Sequence, residues 1–374
     1  MKILVMPSWY TTKESPLSGI FFKEQAQALA RRGHDVTVVV MRSDGGKTVS
    51  CDVTKEGNFR EYIFHHAPMC FHLTYFRVVH YLCRFLRTEF PNGKPDVIHV
   101  HSEGYLKYAR ALKFLFGIPV VVTEHATLFE RGLLPEEQLR RIGRSFSAAD
   151  AVIAVGPGLK KCIQPLCPKK DVLVIPNMVS ETFFERERET IQAKPFRFVS
   201  VGMLAQKKGF DILLRSFAKL TETHPDTTLT ICGGGAEQDA LAALTKRLGL
   251  QDKVTFTGAV TRGECARQLC RSHAFVLPSR VETFGIVYIE AMACGLPVIM
   301  TKTSAWELLV RPETGLAVEI EDVDGLAAAM ASMMEHYGSY NPAAITGYCR
   351  GRFSEDAVCS ELEKVYEKVR RKHG

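Results

Sequence analysis

The chain has 374 residues, 46% hydrophobic and 24% charged, an ordinary globular balance in a length that exceeds what one hydrophobic core serves. Its apolar runs are strand-length, far short of the ~20 residues of a bilayer-spanning helix, and the start MKILVMPSWY has neither a long apolar h-region nor a small-residue cleavage site. Neither an anchor nor an export signal is expected, and the eleven cysteines, without a CxxC pair or a matching His-x-x-x-His, predict reduced thiols and no metal site. The net charge of +7 lies in the first half: residues 1–180 hold 24 Lys and Arg against 16 Asp and Glu, whereas residues 181–374 hold 24 against 25. Such asymmetry either serves solubility alone or points the first half at something anionic, whether lipid headgroups, a phosphorylated acceptor or nucleic acid.

In chain order, KILVM (2–6) reads as a strand, FFKEQAQALARRG (21–33) as a helix with Phe22, Ala26, Leu29 and Ala30 at helical spacing, and DVTVVV (35–40) as a second strand. YFRVVHYLCRFLRTEF (75–90) reads as an amphipathic helix with Arg77, Arg84 and Arg87 on its polar edge. Strand-like runs recur at PDVIHV, IPVVVTEH, ADAVIAV and DVLVIP. The polar segment SETFFERERETIQAKP (180–195) breaks the series, which restarts at FRFVSVG (196–202) and continues through TTLTICGG, KVTFTGAV, AFVLPS and LPVIM to a charged helix from 354 to 372. Apolar strands alternating with helices imply parallel, doubly wound sheets. The expected fold is therefore α/β with two Rossmann-like domains, 1–179 plus the final helix 354–374 and 180–353, facing across a cleft.

Ligands of such sheets bind beyond the carboxyl ends of the strands, which singles out four stretches. In SRVETFGIVYIEAMACGLPVI (279–299), Glu282 precedes Phe284 and Gly285, a helix opens at Ile286, and Ile286, Ile289, Ala293 and Leu296 form its expected buried stripe. The helix N-terminus suits a diphosphate, and Glu282 and Glu290 could each hold a vicinal diol; the plainer reading makes them a dipole partner and a solvated helix residue. In VGMLAQKKGFDILLRSF (201–217), Lys207, Lys208 and Gly209 sit between a strand and a helix, a phosphate-binding arrangement unless the lysines are merely solvated. VVVTEHATLF (120–129) places His125 just past a strand, where it either bonds a substrate hydroxyl or packs. PSWYTTKESPLSGIFFKEQ (7–25) is a loop ending at Gly19 that could fold over a ligand. No GxGxxG occurs, so a nicotinamide dehydrogenase is unsupported.

Together these motifs resemble the retaining nucleotide-sugar glycosyltransferases of GT-B fold in family four. The E-x7-E signature stands at Glu282 to Glu290 and the V-G-x-L-x-x-x-K-G loop at Val201 to Gly209; PDVIHVH, GIPVVVTEH, VIPN, DKVTFTGAV and ETGLAV follow the family's order. The front segment, PSWY followed by SGIFFKEQAQAL, is most similar to enzymes that build bacterial surface polysaccharides. Met203 replaces the family's usual arginine. The resemblance implies metal-independent, retaining hexosyl transfer from a nucleotide diphosphate sugar, a UDP-sugar ahead of a GDP-sugar, to a glycan or lipid-linked acceptor, with no cofactor. It implies Lys208, the N–H groups near Gly285 and Ile286, and Lys207 on the diphosphate, Glu282 on the hexose, Glu290 on the ribose, backbone near Gly258 on the base, and His125 on the sugar and acceptor side, with Gly19 and Phe284 adding to the donor site. It further implies a cytoplasmic enzyme with a peripheral seat on the anionic inner face of the plasma membrane, a final helix that braces the first domain, and a hinge. An epimerase of the same architecture and a catalytically silent nucleotide-binding protein are the alternatives; nucleic-acid binding lacks a stacking or helix-turn-helix pattern.

Overall fold

The computed structural model describes residues 1–12, 15, 17–44, 49–68, 71–186, 188 and 192–373. The chain divides into two compact units: Met1–Val155 with Leu159–Pro176 and Val358–Gly374, and Gly156–Gly158 with Asn177–Ala357. In the stretch 180–195, where the sequence places the break, residues 187 and 189–191 lie outside the described ones. The segment entering unit 2 is tied down early, since Val179 N–H donates to the Phe353 carbonyl at 2.8 Å.

Unit 1 is built on eight strands: β1 (Lys2–Pro7), β2 (Asp35–Arg42), β3 (Ser50–Glu56), β4 (Phe59–His65), β5 (Val97–His101), β6 (Val120–Glu124), β7 (Ala151–Ala154) and β8 (Leu173–Val174). They lie in the order β3-β4-β2-β1-β5-β6-β7-β8, parallel throughout except for β3, which runs antiparallel to β4. Every residue of β5 and β6 is buried, as expected of strands covered on both faces. The β3–β4 hairpin was not anticipated: β3 is exposed along almost its whole length, so no apolar pattern marks it, and Glu56 pairs with Phe59 around a two-residue Gly57-Asn58 turn. The final helix, Glu355–Arg371, packs on this unit through Val358, Cys359, Leu362, Val365, Tyr366 and Val369, an apolar stripe at helical period. Arg32 clamps its outer face, donating to both carboxylate oxygens of Glu363 at 2.7 and 2.9 Å and holding that carboxyl below its usual range.

Unit 2 contains β9 (Phe196–Val201), β10 (Thr227–Cys232), β11 (Val254–Gly258), β12 (Ala274–Leu277), β13 (Val298–Thr301) and β14 (Gly315–Val318), all parallel in the order β11-β10-β9-β12-β13-β14. The order reverses between β9 and β12, which opens a crevice past their carboxyl ends. Unit 1 has the same reversal between β1 and β5. The helix after β12, Ile286–Ala293, is buried almost all round and not on the single stripe expected: Ile286 is half-buried, while Tyr288, Ile289 and Met292 are in the core. Burial of each such side chain contributes roughly 1.5–3 kcal/mol, and Tyr288 Oη donates to the Leu277 carbonyl at 2.8 Å, pinning the helix to the end of β12.

Candidate active site

The two strands at the reversal in unit 2 deliver the loops that the sequence singled out. After β9 the chain makes a short turn at Gln206–Lys208, and Gly209 opens the helix Phe210–Thr223. Gly209 has φ 69°, and a Cβ there would lie 2.1 Å from the Pro278 carbonyl oxygen, so only glycine lets this turn lie against the chain leaving β12. That approach lets the Arg280 N–H donate to the Lys207 carbonyl at 2.8 Å. The Arg280 guanidinium closes the same turn, donating to Asp211 at 2.8 and 2.9 Å and to the Gln206 carbonyl at 2.6 Å, and it holds the Asp211 carboxyl below its usual range. Met203, just before this turn in the chain, is exposed.

The turn aims Lys208 at Glu282, and Lys208 Nζ donates to Glu282 Oε2 although the residues are 74 positions apart. Both side chains are mostly withdrawn from solvent, at 14% and 12% exposure. Gly285, with φ 82°, begins the helix Ile286–Ala293 with no side-chain cap; a Cβ would meet the Tyr288 ring at 2.5 Å and Glu282 Cγ at 3.0 Å. A lysine ammonium, a carboxylate and the first N–H groups of a helix thus meet at the crevice, the arrangement that receives a phosphate and a hydroxyl together.

Glu290 is not a solvated helix residue. It is 3% exposed, and its Oε1 accepts from Arg262 Nη1 at 2.7 Å. Arg262 opens the helix Arg262–Cys270, capped by Thr261, and its guanidinium lies 4.8 Å from the centre of the Phe183 ring. This partner was missed in the sequence. Gly258 ends β11 with its carbonyl accepting from Gly233 N–H at 2.9 Å, so the ends of β10 and β11 are joined beside the crevice. Phe284 is 1% exposed and packs edge to face on Phe353, so its side chain belongs to the core and leaves only its backbone to a ligand.

The remaining two candidates belong to unit 1. His125 follows β6 and is held by its neighbour: Glu124 Oε1 accepts from the N–H groups of His125 and Ala126 and from Ser102 Oγ, each at 2.8 Å. Burial raises the Glu124 carboxyl above its usual range while these three donors oppose the rise. The His125 ring is bordered by Phe22 at 5.0 Å, Phe21 at 5.4 Å and Trp9 at 6.4 Å between centroids. Gly19 shapes that wall, because a Cβ on it would stand 3.1 Å from Trp9. Of the loop 7–25, residues 13, 14 and 16 lie outside the described ones. Among the described residues no cluster of three or more His, Cys, Asp or Glu is grouped as a metal site.

Comparison with known proteins places two family models on the chain: Glycosyltransferase Family 4 over residues 18–183 and Glycosyl transferases group 1 over residues 181–347. A glycogen synthase of Mycobacterium tuberculosis is 29% identical over 289 residues, covering 72% of this chain and 66% of its own length. The chain thus spans slightly less than two thirds of that relative. A glycosyltransferase of Methanocaldococcus jannaschii is 26% identical over 394 residues, covering 98% of each chain. Among solved structures, Anabaena HepE in complex with UDP superposes with a TM-score of 0.76 at 19% identity, covering 98% of this chain and 100% of its own, a likeness of fold.

Proposed function

Because the chain belongs to the glycosyltransferases of the family 4 and group 1 type, with the GT-B fold, we propose that it moves a hexose, with retention and without a metal, from a nucleotide diphosphate sugar to a hydroxyl of a glycan or lipid-linked acceptor. The observation that supports this reading is the Lys208–Glu282 pair at the strand reversal, beside the uncapped start of the helix Ile286–Ala293. Without ligand the two charges neutralise one another. A diphosphate is a stronger partner for the ammonium; once it takes Lys208, Glu282 is released to accept from two sugar hydroxyls. As the anomeric bond breaks, charge grows on the leaving phosphate, and Lys208 with the N–H groups of Gly285 and Ile286 stabilises it there. One preorganised donor of this kind is worth about 10²–10³ in rate. Lys207 adds positive charge in place of the arginine that Met203 replaces, Gly258 borders the base, and Oε2 of Glu290 is the oxygen offered to the ribose while Oε1 stays on Arg262.

The donor is proposed to be a UDP-sugar, with a GDP-sugar next; the Anabaena relative of similar fold was solved with UDP. The acceptor side falls to unit 1, where His125 offers a ring nitrogen among aromatic walls. The same unit carries Phe76 and Phe114 at 69% and 89% exposure, on helices that also bear Arg77, Arg84 and Lys113. Among the described residues no helix is long and apolar enough to cross a membrane. A peripheral seat on anionic lipid, for a lipid-linked precursor of a surface polysaccharide, completes the proposal. Co-sedimentation with phosphatidylglycerol vesicles but not phosphatidylcholine vesicles is expected, and equal failure with both removes that part.

The deciding experiment is a thermal-shift series with UDP, GDP and ADP on the wild type and on Glu290→Ala. A ligand at about 100 times its Kd adds about 2.7 kcal/mol. Stabilisation by one diphosphate that the substitution removes supports the donor assignment. No shift with any nucleotide in a folded sample sinks it in favour of a silent scaffold, and isomerised donor appearing without acceptor would mark an epimerase.

A further inference from the structure

Beneath His125 lies a row of buried rings that donor binding does not use. His125 Nε2 is 3.1 Å from Nδ1 of His101, which is 1% exposed. The His101 ring is flanked by Phe22, at 4.6 Å between centroids, and His99, at 4.3 Å. His99 is wholly buried with both nitrogens engaged: Nδ1 on the Tyr366 hydroxyl at 2.7 Å and Nε2 on Thr123 Oγ1 at 2.8 Å. Tyr366 comes from the final helix, so the row reaches from that helix through β5 to the end of β6.

Three imidazoles in a core are costly where valine or leucine would pack, and each must have its polar atoms bonded. Burial pushes His99 down to about 3 and His101 well below its usual range, so both rings are neutral near pH 7. Where two imidazoles meet nitrogen to nitrogen, as His101 and His125 do, one hydrogen lies between them. If His101 donates, the proton of His125 resides on Nδ1; if His125 donates, its Nδ1 is an acceptor. The orientation of one ring dictates the chemistry of the other. The backbone is fixed just as firmly. Glu124 grips the His125 N–H, and Ser102, at φ 64° and ψ 158°, is held in a backbone region nearly reserved for glycine, at a cost of roughly 1–3 kcal/mol, by its bonds to Glu124 and Ser8.

We propose that His101 is a positioning residue that sets the tautomer and ring plane of His125, with Tyr366 anchoring the row through His99. The proposal deepens the reading of His125 as the acceptor-side group and rests on it for its effect on turnover.

The test is ¹⁵N NMR of histidine-labelled protein, with His125 assigned by substitution, alongside steady-state transfer. Three variants are compared: His101→Asn, whose amide nitrogen falls near the lost Nδ1; His101→Gln, which carries the amide past it; and His101→Leu. The wild type and His101→Asn are expected to show His125 in one tautomer. His101→Gln and His101→Leu should show a tautomer mixture, with kcat down about tenfold and the donor KM within about twofold. Unchanged His125 signals in His101→Gln, or equal losses in the Asn and Gln variants, overturn the proposal and leave packing as the role of the row. If His101→Leu does not fold, the Asn and Gln pair still decides. A wild type that transfers no sugar defeats the functional reading, while the NMR comparison judges the tautomer independently.

Discussion

His99 makes acid stability a quantitative matter. In the fold its ring is wholly buried and bonded to Thr123 and Tyr366, and burial lowers its pKa from 6.5 to about 3. The unfolded chain therefore binds one more proton than the fold across the window from pH 6.5 down to about 3. Stability rises with pH through that window and is lost as pH falls through it. Near pH 5, about 1.5 units below the unfolded value, the loss from this one group is about 2 kcal/mol at about 1.4 kcal/mol per unit. The whole shift is worth on the order of 5 kcal/mol by pH 3. His101, lowered for the same reason and by its histidine neighbours, adds in the same direction. Urea unfolding of unit 1, followed near pH 7.5 and near pH 5, should show this slope in the wild type. In His99→Phe the loss between the two pH values should shrink by about 2 kcal/mol, even though the variant starts less stable for want of two hydrogen bonds. An equal slope in both proteins, or a His99 ring that titrates near pH 6 in the folded protein, would refute the reasoning.

Removing the guanidinium in Arg262→Ala strands Glu290, 3% exposed, without the cation that compensates it; unit 2 should lose on the order of 3 kcal/mol in urea unfolding, and the double substitution with Glu290→Gln should recover much of it. A double variant no more stable than Arg262→Ala would mean that the pair is not what the arginine contributes. Two glycines with left-handed φ separate steric from conformational cost. Gly209→Ala meets the Pro278 carbonyl and should lose about 2–4 kcal/mol and any diphosphate-dependent stabilisation, whereas Gly258→Ala, with nothing within 4 Å of the added carbon, should lose only about 1 kcal/mol by denaturation. Equal losses would show that the close approach of the two loops is not required.

How much of this was legible depends on where each residue's energy comes from. Strands buried on both faces announce themselves as apolar runs, so VTVVV, VVVT and FVL were read directly, while β3, exposed along an edge, had nothing to announce. Lys208 and Glu282 were each found because they follow a strand. That they touch is set by sheet order, which puts β9 beside β12, and no local pattern encodes it. Phe284 stood inside a motif and was assigned to the ligand, yet an aromatic next to a helix start is as useful to a core, and Phe353 claims it.

The two omissions had signals of a different kind, namely local choices that are unfavourable by themselves. Arg262 puts a positive charge in the first turn of a helix, against the dipole, at a cost of some tenths of a kcal/mol. Such a choice asks for a nearby anion, and the buried carboxylate of Glu290 is that anion. His99 and His101, two apart on one strand, point to the same face. On a strand whose every residue is buried, two imidazoles on one face must have been given partners. Thr123, Tyr366 and His125 are those partners, supplied by the neighbouring strand, the final helix and the loop after β6. Where a sequence places polarity or charge against the local rule, the energy that repays it lies in a contact distant along the chain, and here both such contacts lead to residues singled out for chemistry.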